Sequence, residues 1–151
     1  MPFVELKTYI KADIKSCFDL SRSIDFHQES LEHSSEKAIA GKTSGLIELD
    51  EWVTWEAKHL GVKQQLTSKI TKFNSPYYFI DEMVSGPFKS IFHEHIFEEK
   101  EGETLMIDRF GFESPFGIIG KFVNWLFLTK YMKTLLEMRN IALKQKLEFR
   151  G

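Results

Sequence analysis

The sequence predicts an α+β fold in which a curved antiparallel sheet of about seven strands wraps around one long C-terminal helix. Three observations lead to this prediction. The hydrophobic period is two from Glu36 to Phe112, which is typical of strands, and it changes to three and four after Ser114, which is typical of a helix. Two short helical segments follow the first strand. A sheet with one apolar face must cover that face, and the terminal helix is the only large apolar partner.

Length and composition predict one folded domain spanning residues 1–151. The chain has 151 residues, of which 42% are hydrophobic and 28% charged, values typical of a globular protein. Its formal net charge of -2 provides no overall field to hold nucleic acid or an anionic membrane, so neither is expected as a partner. The 14 phenylalanines provide more ring surface than a core of this size needs, which indicates a cavity lined with rings.

The sequence shows no sign of disulfides, a zinc site, a signal segment or a membrane span. Cys17 is the single cysteine, so no internal disulfide forms, and no Cys/His spacing typical of zinc is present. We therefore expect neither a metal nor a cofactor. The N-terminus has no apolar signal region, and the longest apolar stretch, Phe122 to Leu128, is far shorter than the ~20 residues that span a bilayer. A soluble, cytoplasmic protein without stable membrane insertion is expected.

The first elements are a strand and two short helices. Phe3 to Ile10 alternates loosely, which favours a strand. Asp13 is a typical N-cap for a helix that carries Cys17 and Phe18 on one face, and a second helix is predicted from Ile24 to Leu31.

The middle of the chain predicts an antiparallel meander. Short turn signals such as Leu60-Gly61 and Asn74-Ser75-Pro76 separate segments that alternate with period two. The loop before the last strand is predicted to be Glu99 to Gly102. The strands are expected at Trp52 to His59, Val62 to Phe73, Tyr77 to Val84, Phe88 to Glu98 and Glu103 to Phe112.

The C-terminal part predicts one long helix. Ser114-Pro115 combines a capping side chain with proline at the first helical position. After Gly120 no residue breaks the helix, and apolar residues recur at spacings of three and four to about Leu147.

Several short runs together resemble the SRPBCC superfamily, and within it the bacterial branch of ligand-binding SRPBCC proteins. The resemblance covers essentially the whole chain. It implies a helix-grip fold with a deep, mostly apolar cavity between sheet and helix. Members bind or carry sterols, lipids, plant hormones or polyketides, and a minority catalyse cyclisation or dehydration. The runs are Gly45-Leu46-Ile47, Val53-Thr54-Trp55, His59-Leu60-Gly61, Phe79-Ile80-Asp81-Glu82-Met83, Gly86-Pro87-Phe88, His93-Glu94-His95-Ile96-Phe97, Thr104-Leu105-Met106-Ile107-Asp108 and Ser114-Pro115-Phe116-Gly117.

His93 and His95 are the most distinctive polar residues of the predicted sheet. A spacing of two places both on the same strand face. A three-residue loop at Ser85-Gly86-Pro87 would set Asp81 opposite His93, and Phe79 opposite His95.

The hairpin formed by the last two predicted strands would bring a residue of a third strand next to Asp81 and His93. If Phe97 lies opposite Thr104, then His95 pairs with Met106 and His93 with Asp108. Asp81, His93 and Asp108 would then line up across neighbouring strands on the cavity side. Such a row could satisfy itself as a buried network, orient a ligand hydroxyl or carbonyl, or act as an acid–base set.

An aromatic and Met-rich set is predicted on the same face. Its members could be plain core or adaptable apolar cavity walls. The long helix would add Phe122 and Leu126. The complete predicted ligand-binding set is Trp55, His59, Phe79, Asp81, His93, His95, Phe97, Met106, Asp108, Phe110, Phe122 and Leu126.

Three functions remain as hypotheses. The first is a non-catalytic binder or carrier of a small hydrophobic molecule, either lipid, sterol-like or polyketide-like. The second is an enzyme of the polyketide cyclase or dehydratase type, with Asp81, His93 and Asp108 as acid–base groups. The third is an interaction module whose core is filled. No oligomeric state is predicted.

Overall fold

The computed structural model of this protein describes residues 3–59, 61–113 and 117–149, with the side chains of all of these except His33 and residues 117–126. A seven-stranded antiparallel sheet has the order β1-β7-β6-β5-β4-β3-β2. The predicted helix-grip α+β fold, with two short helices after the first strand and a long C-terminal helix, is confirmed. The elements are β1 (Phe3–Ile10), α1 (Ile14–Ser21), α2 (Ile24–Ser30), β2 (Lys37–Gly41), β3 (Trp52–His59), β4 (Val62–Asn74), β5 (Tyr78–Ser85), β6 (Ser90–Lys100), β7 (Glu103–Glu113) and α3 (Gly117–Glu148).

Side-chain caps start the two short helices. The carboxylate of Asp13 accepts a hydrogen bond from the backbone N–H of Ser16 at 3.0 Å, which confirms it as the N-cap of α1. The hydroxyl of Ser23 accepts from the backbone N–H of Phe26 at 3.1 Å and so caps α2. These caps fix where the chain turns back toward the sheet after β1.

The turn between β6 and β7 is shorter than predicted. Both strands extend to the pair Lys100 and Glu103, which leaves only Glu101 and Gly102 in the loop. These two residues have φ angles of 52° and 83°. Positive φ at both central positions gives a tight turn whose twist matches that of the flanking strands.

The predicted pairing between β6 and β7 is therefore wrong by two residues. Phe97 lies opposite Met106 instead of Thr104, and His95 lies opposite Asp108 instead of Met106. His93 lies opposite Phe110 in place of Asp108. A slip of two residues keeps every side chain on its predicted face, whereas a slip of one would invert the faces.

The pairing between β5 and β6 is as predicted. Asp81 lies opposite His93, and Phe79 lies opposite His95. The carboxylate of Asp81 and the two imidazoles therefore share one face of the sheet.

Helix α3 packs on two apolar clusters of the sheet. The first surrounds Phe18 of α1, whose ring lies 5.4 Å from the ring of Phe79, and it includes Leu143 of α3. The second contains Phe110 and Phe112 of β7 together with Leu136 of α3. These contacts hold the helix across the same sheet face that carries the two histidines. Of the helices described, none is both long and apolar enough to cross a membrane.

Candidate functional site

A cavity of about 550 Å³ lies between the sheet and α3. Its described walls come from strands β3 to β7 on one side, and from α2 and α3 on the other. Sites for small molecules typically have about 300–1,000 Å³ and mostly apolar walls with a few polar groups. This cavity has that size and character, which weighs against a filled core. Its apolar lining includes Ile24, Ile47, Val53, Leu66, Ile70 and Ile91.

Most of the predicted ligand-binding residues lie on the cavity wall. They come from β3, β5, β6 and β7 and lie on the sheet face that α3 crosses. The predicted residues that line the cavity are Trp55, His59, Phe79, Asp81, His93, His95 and Phe110. The side chains of Phe122 and Leu126 lie outside the described residues.

Phe97 and Met106 lie in the core instead of on the wall. Phe97 is 2% exposed and packs edge to face on Phe18, with ring centroids 5.3 Å apart. Met106 is fully buried, and its sulfur lies 3.5 Å from the hydroxyl of Ser21. Both Phe18 and Ser21 belong to α1. This helix covers the end of the sheet where Phe97 and Met106 lie opposite each other, so neither side chain reaches the cavity.

Asp108 also lies behind the wall, at the centre of a buried polar network. Its carboxylate accepts hydrogen bonds from Nε2 of His93 at 2.8 Å and from Nδ2 of Asn140 at 2.8 Å. The guanidinium of Arg139 lies 3.4 Å from Oδ1. Burial alone would raise the pKa of Asp108, but the hydrogen bond from His93 and the charge of Arg139 outweigh it and hold the pKa well below its usual range. The carboxylate is therefore ionised and fixes His93 in position.

His95 lies in a stack of rings on the cavity wall. Its imidazole is stacked on Phe79 at 4.1 Å and on His93 at 3.7 Å between ring centroids. Nε2 lies 2.8 Å from Oδ2 of Asp81. Burial, together with the neighbouring His93, lowers the pKa of His95 from 6.5 to about 4.

One nitrogen of His95 is left without a hydrogen bond. Nδ1 is buried and has no hydrogen-bond partner among the described residues, since Oδ1 of Asp108 lies 3.5 Å away. Because the ring is neutral at ordinary pH and Nε2 faces the carboxylate of Asp81, Nε2 carries the proton and Nδ1 is an acceptor.

The two histidines and Asp81 also bring possible metal-ligand atoms within 4.8 Å of one another. The rings of His93 and His95 are only 24° from parallel, however, so their in-plane lone pairs do not converge on one point. Both Nε2 atoms already bond to carboxylates, and the cation of Arg139 lies beside the group. The geometry favours a hydrogen-bonding site over a cation site.

A second group of polar side chains lies on the cavity wall. Of its members, only His59 was predicted from the sequence. Nε2 of His27 lies 3.2 Å from Oε1 of Glu36, and Nε2 of His59 lies 3.6 Å from Oε2. Nδ1 of His59 bonds to the hydroxyl of Tyr131 at 2.8 Å. We call these four residues the Glu36 cluster. They come from α2, the chain before β2, the end of β3 and α3, so no spacing in the sequence signals their proximity.

Comparison with known proteins identifies the architecture. No known family model matches the sequence, and no curated protein matches it. Solved structures with the same architecture include a START superfamily protein from Mycobacterium smegmatis, with a TM-score of 0.76, 11% identity and 100% of each chain covered.

Two further structures extend the comparison to other organisms. Ginseng major latex-like protein 151 from Panax ginseng has a TM-score of 0.62 and 17% identity, with 93% of this chain and 94% of that chain covered. A protein of Thermus thermophilus has a TM-score of 0.72 and 16% identity, with 94% of this chain and 97% of that chain covered. This chain therefore has the helix-grip fold, which is the fold that its sequence resemblance predicts.

Proposed function

We propose that this protein binds a small hydrophobic molecule in the cavity between the sheet and α3. The observation that carries the proposal is the cavity of about 550 Å³ with a mostly apolar lining and a few buried polar groups. The resemblance to START and major latex-like structures supports it at the level of the fold. Lipids, sterol-like compounds and polyketide-like compounds are the classes we expect.

The walls of the cavity are suited to a flat or flexible apolar body. The ring of Trp55 lies 4.2 Å from the ring of His27 at an angle of 39°, and Phe79 is stacked on His95, so broad ring faces line the cavity. Met83 and Met132 add adaptable side chains that can follow different ligand shapes.

His93 and His95 would orient the polar end of such a ligand. Asp108 holds His93, and Asp81 holds His95, each by a 2.8 Å hydrogen bond. Because the rings are fixed by these bonds and by stacking, the polar end of a ligand would meet imidazoles that need no further ordering by the protein.

Titration with the neutral apolar dye N-phenyl-1-naphthylamine tests this proposal. We expect saturable binding at one site, with a rise in fluorescence as the dye leaves water. Binding should persist at high salt, because a net charge of -2 leaves little for electrostatic attraction to do. A well-folded protein that binds neither this dye nor any long-chain competitor would contradict the proposal.

The His93–Asp108 pair favours one alternative function, an enzyme of the polyketide cyclase or dehydratase type. An imidazole on the cavity wall, backed by a buried carboxylate, can transfer a proton to or from a bound ketide. The test is incubation with an enolisable poly-β-ketone, with an aromatic product followed by absorbance. An enzyme should lose turnover by about 10²–10⁴-fold in His93→Phe while keeping ligand affinity. The absence of product formation by the wild type would remove this alternative.

A further inference from the structure

The carboxylate of Asp81 is accessible from inside the cavity. Its side chain is 25% exposed, whereas that of His95 beside it is 4% exposed. Asp81 lies opposite Ile70 of β4 and His93 of β6, so it is at the middle of the sheet face that α3 crosses. Because this face is turned away from bulk solvent and Asp81 lines the cavity, the exposed part of its side chain faces the cavity.

The two oxygens of this carboxylate differ in their partners. Oδ2 accepts a hydrogen bond from Nε2 of His95 at 2.8 Å. Oδ1 accepts no hydrogen bond from the described residues and, unlike Nδ1 of His95, it is not sealed from molecules of the size of water. A group on a ligand in the cavity can therefore reach Oδ1.

The carboxylate of Asp81 is ionised and fixed in position. Its enclosure by the protein would raise the pKa, but the hydrogen bond from His95 and the charge of Arg139 outweigh enclosure and hold the pKa of Asp81 below its usual range. His95 is itself fixed by stacking on Phe79 and on His93. Asp81 is therefore a preorganised acceptor, and a ligand that bonds to it pays little for ordering the protein.

The two arginines that line the cavity already have counter-ions. Arg139 lies 3.4 Å from the carboxylate of Asp108 and donates a hydrogen bond to the carbonyl of Ser21. Arg22 lies 3.0 Å from the carboxylate of Asp19. Neither guanidinium is left to neutralise an anionic ligand head, whereas Oδ1 of Asp81 has lone pairs that no described residue uses.

We propose that Oδ1 of Asp81 binds the polar head of the ligand, and that this head is a hydrogen-bond donor, either a hydroxyl or a protonated amine. This inference rests on the proposed function, since it requires a ligand in the cavity. One donor needs only this oxygen, whereas a metal ion would need several converging ligand atoms. A carboxylate head is disfavoured, because it would meet a like charge in an enclosed site.

Displacement of N-phenyl-1-naphthylamine by three ten-carbon compounds tests the inference. The competitors 1-decanol, decylamine and decanoate share one chain and differ in the head group. At neutral pH and high salt, the wild type should bind the alcohol and the amine at least about tenfold more tightly than decanoate, as expected for a donor to a carboxylate. Equal displacement by all three compounds would overturn the inference, while failure of the dye itself to bind would instead contradict the proposed function.

The variant Asp81→Asn assigns the preference to this carboxylate. Nε2–H of His95 needs an acceptor, so the amide oxygen should stay beside it and the amide NH₂ should replace Oδ1 in the cavity. The acceptor becomes a donor: decylamine should lose at least about tenfold in affinity, and decanoate should gain. The wild-type competition decides the inference without this variant if Asp81→Asn does not fold.

Glu82→Gln is the matched control. It removes the same formal charge from the next residue of β5, which lies on the opposite face of the sheet. This variant should keep the wild-type order of the three competitors. An Asp81→Asn protein that binds the dye and also keeps that order would overturn the inference.

Discussion

His93 and Asp108 are joined by a 2.8 Å hydrogen bond from Nε2 to Oδ1, although they are not opposite each other in the β6–β7 ladder. Asp108 lies opposite His95, and the bond runs diagonally to the next position on the same face. His93 lies on the cavity wall, and this bond connects it to the carboxylate of Asp108, which is fully buried behind the wall. The wall and the network beneath it form one hydrogen-bonded unit.

Replacing His93 by Phe should destabilise the protein moderately. The ring stack on His95 can persist, but Asp108 loses its 2.8 Å donor while Asn140 and Arg139 remain. We expect the free energy of unfolding to fall by about 1–3 kcal/mol in urea titrations followed by circular dichroism. An unchanged midpoint would show that the diagonal bond contributes nothing.

Replacing Asp108 by Asn should have a larger effect. Arg139 is 5% exposed, and its guanidinium would lose its buried counter-ion. Removing one partner of a buried pair typically costs about 3–5 kcal/mol. Glu5→Gln is the control, because its pair with Arg109 lies at the surface and should contribute less than about 1 kcal/mol. Similar losses in the two variants would refute the buried network as a source of stability.

Stability should depend on pH through His95 and Glu36 in two separate windows. His95 has a folded pKa of about 4 against its usual 6.5, so the unfolded chain takes up this proton first as pH falls. The contribution of His95 is therefore complete above pH 6.5 and is lost between 6.5 and 4, by up to about 3 kcal/mol. Glu36, with a folded pKa of about 2 against 4.5, loses its contribution between 4.5 and 2.

Unfolding free energies measured across this pH range check both windows. His95→Gln should flatten the dependence between pH 6.5 and 4, and Glu36→Gln should reduce the slope below 4.5, where the lowered pKa of Asp108 still makes a contribution. A His95→Gln profile parallel to that of the wild type would mean that the imidazole titrates normally in the folded protein.

The packing of α3 on the sheet can be tested at two nearby helix positions. Leu143 is fully buried and Ile141 is 56% exposed. Leu143→Ala should lower the unfolding free energy by about 2–5 kcal/mol, because it leaves a void in the cluster around Phe18. Ile141→Ala should change it by about 0.5 kcal/mol or less. Equal effects would show that the helix face has been assigned incorrectly.

The fold could be predicted because local signals agree with its tertiary pattern. The period of two around His93 and His95 set the face of β6, and the cap at Asp13 set the start of α1. The pairing of β6 with β7 was harder, because alternation is unchanged when strands slide by two residues. The tight turn at Glu101-Gly102 decides the register, and its positive φ at a glutamate has no clear sequence signal.

The division between core and cavity wall could not be read from alternation. Phe97 and Phe79 are on the same face and each is 2% exposed, but Phe97 lies beneath α1 whereas Phe79 borders the cavity. The Glu36 cluster was missed for a related reason. His59 and Tyr131 are 72 residues apart, and only the packing of α3 brings them together.

Dye binding by two variants at neighbouring positions of β4 tests the central claim most directly. Ser68 lines the cavity, whereas Lys69 points to the opposite face of the sheet. Ser68→Phe places a ring in the space proposed for the ligand, and Lys69→Phe places the same ring outside it. With both variants folded by circular dichroism, we expect Ser68→Phe to lose at least tenfold in affinity for N-phenyl-1-naphthylamine, and Lys69→Phe to bind as the wild type does. Equal affinity in all three proteins would contradict ligand binding between the sheet and α3.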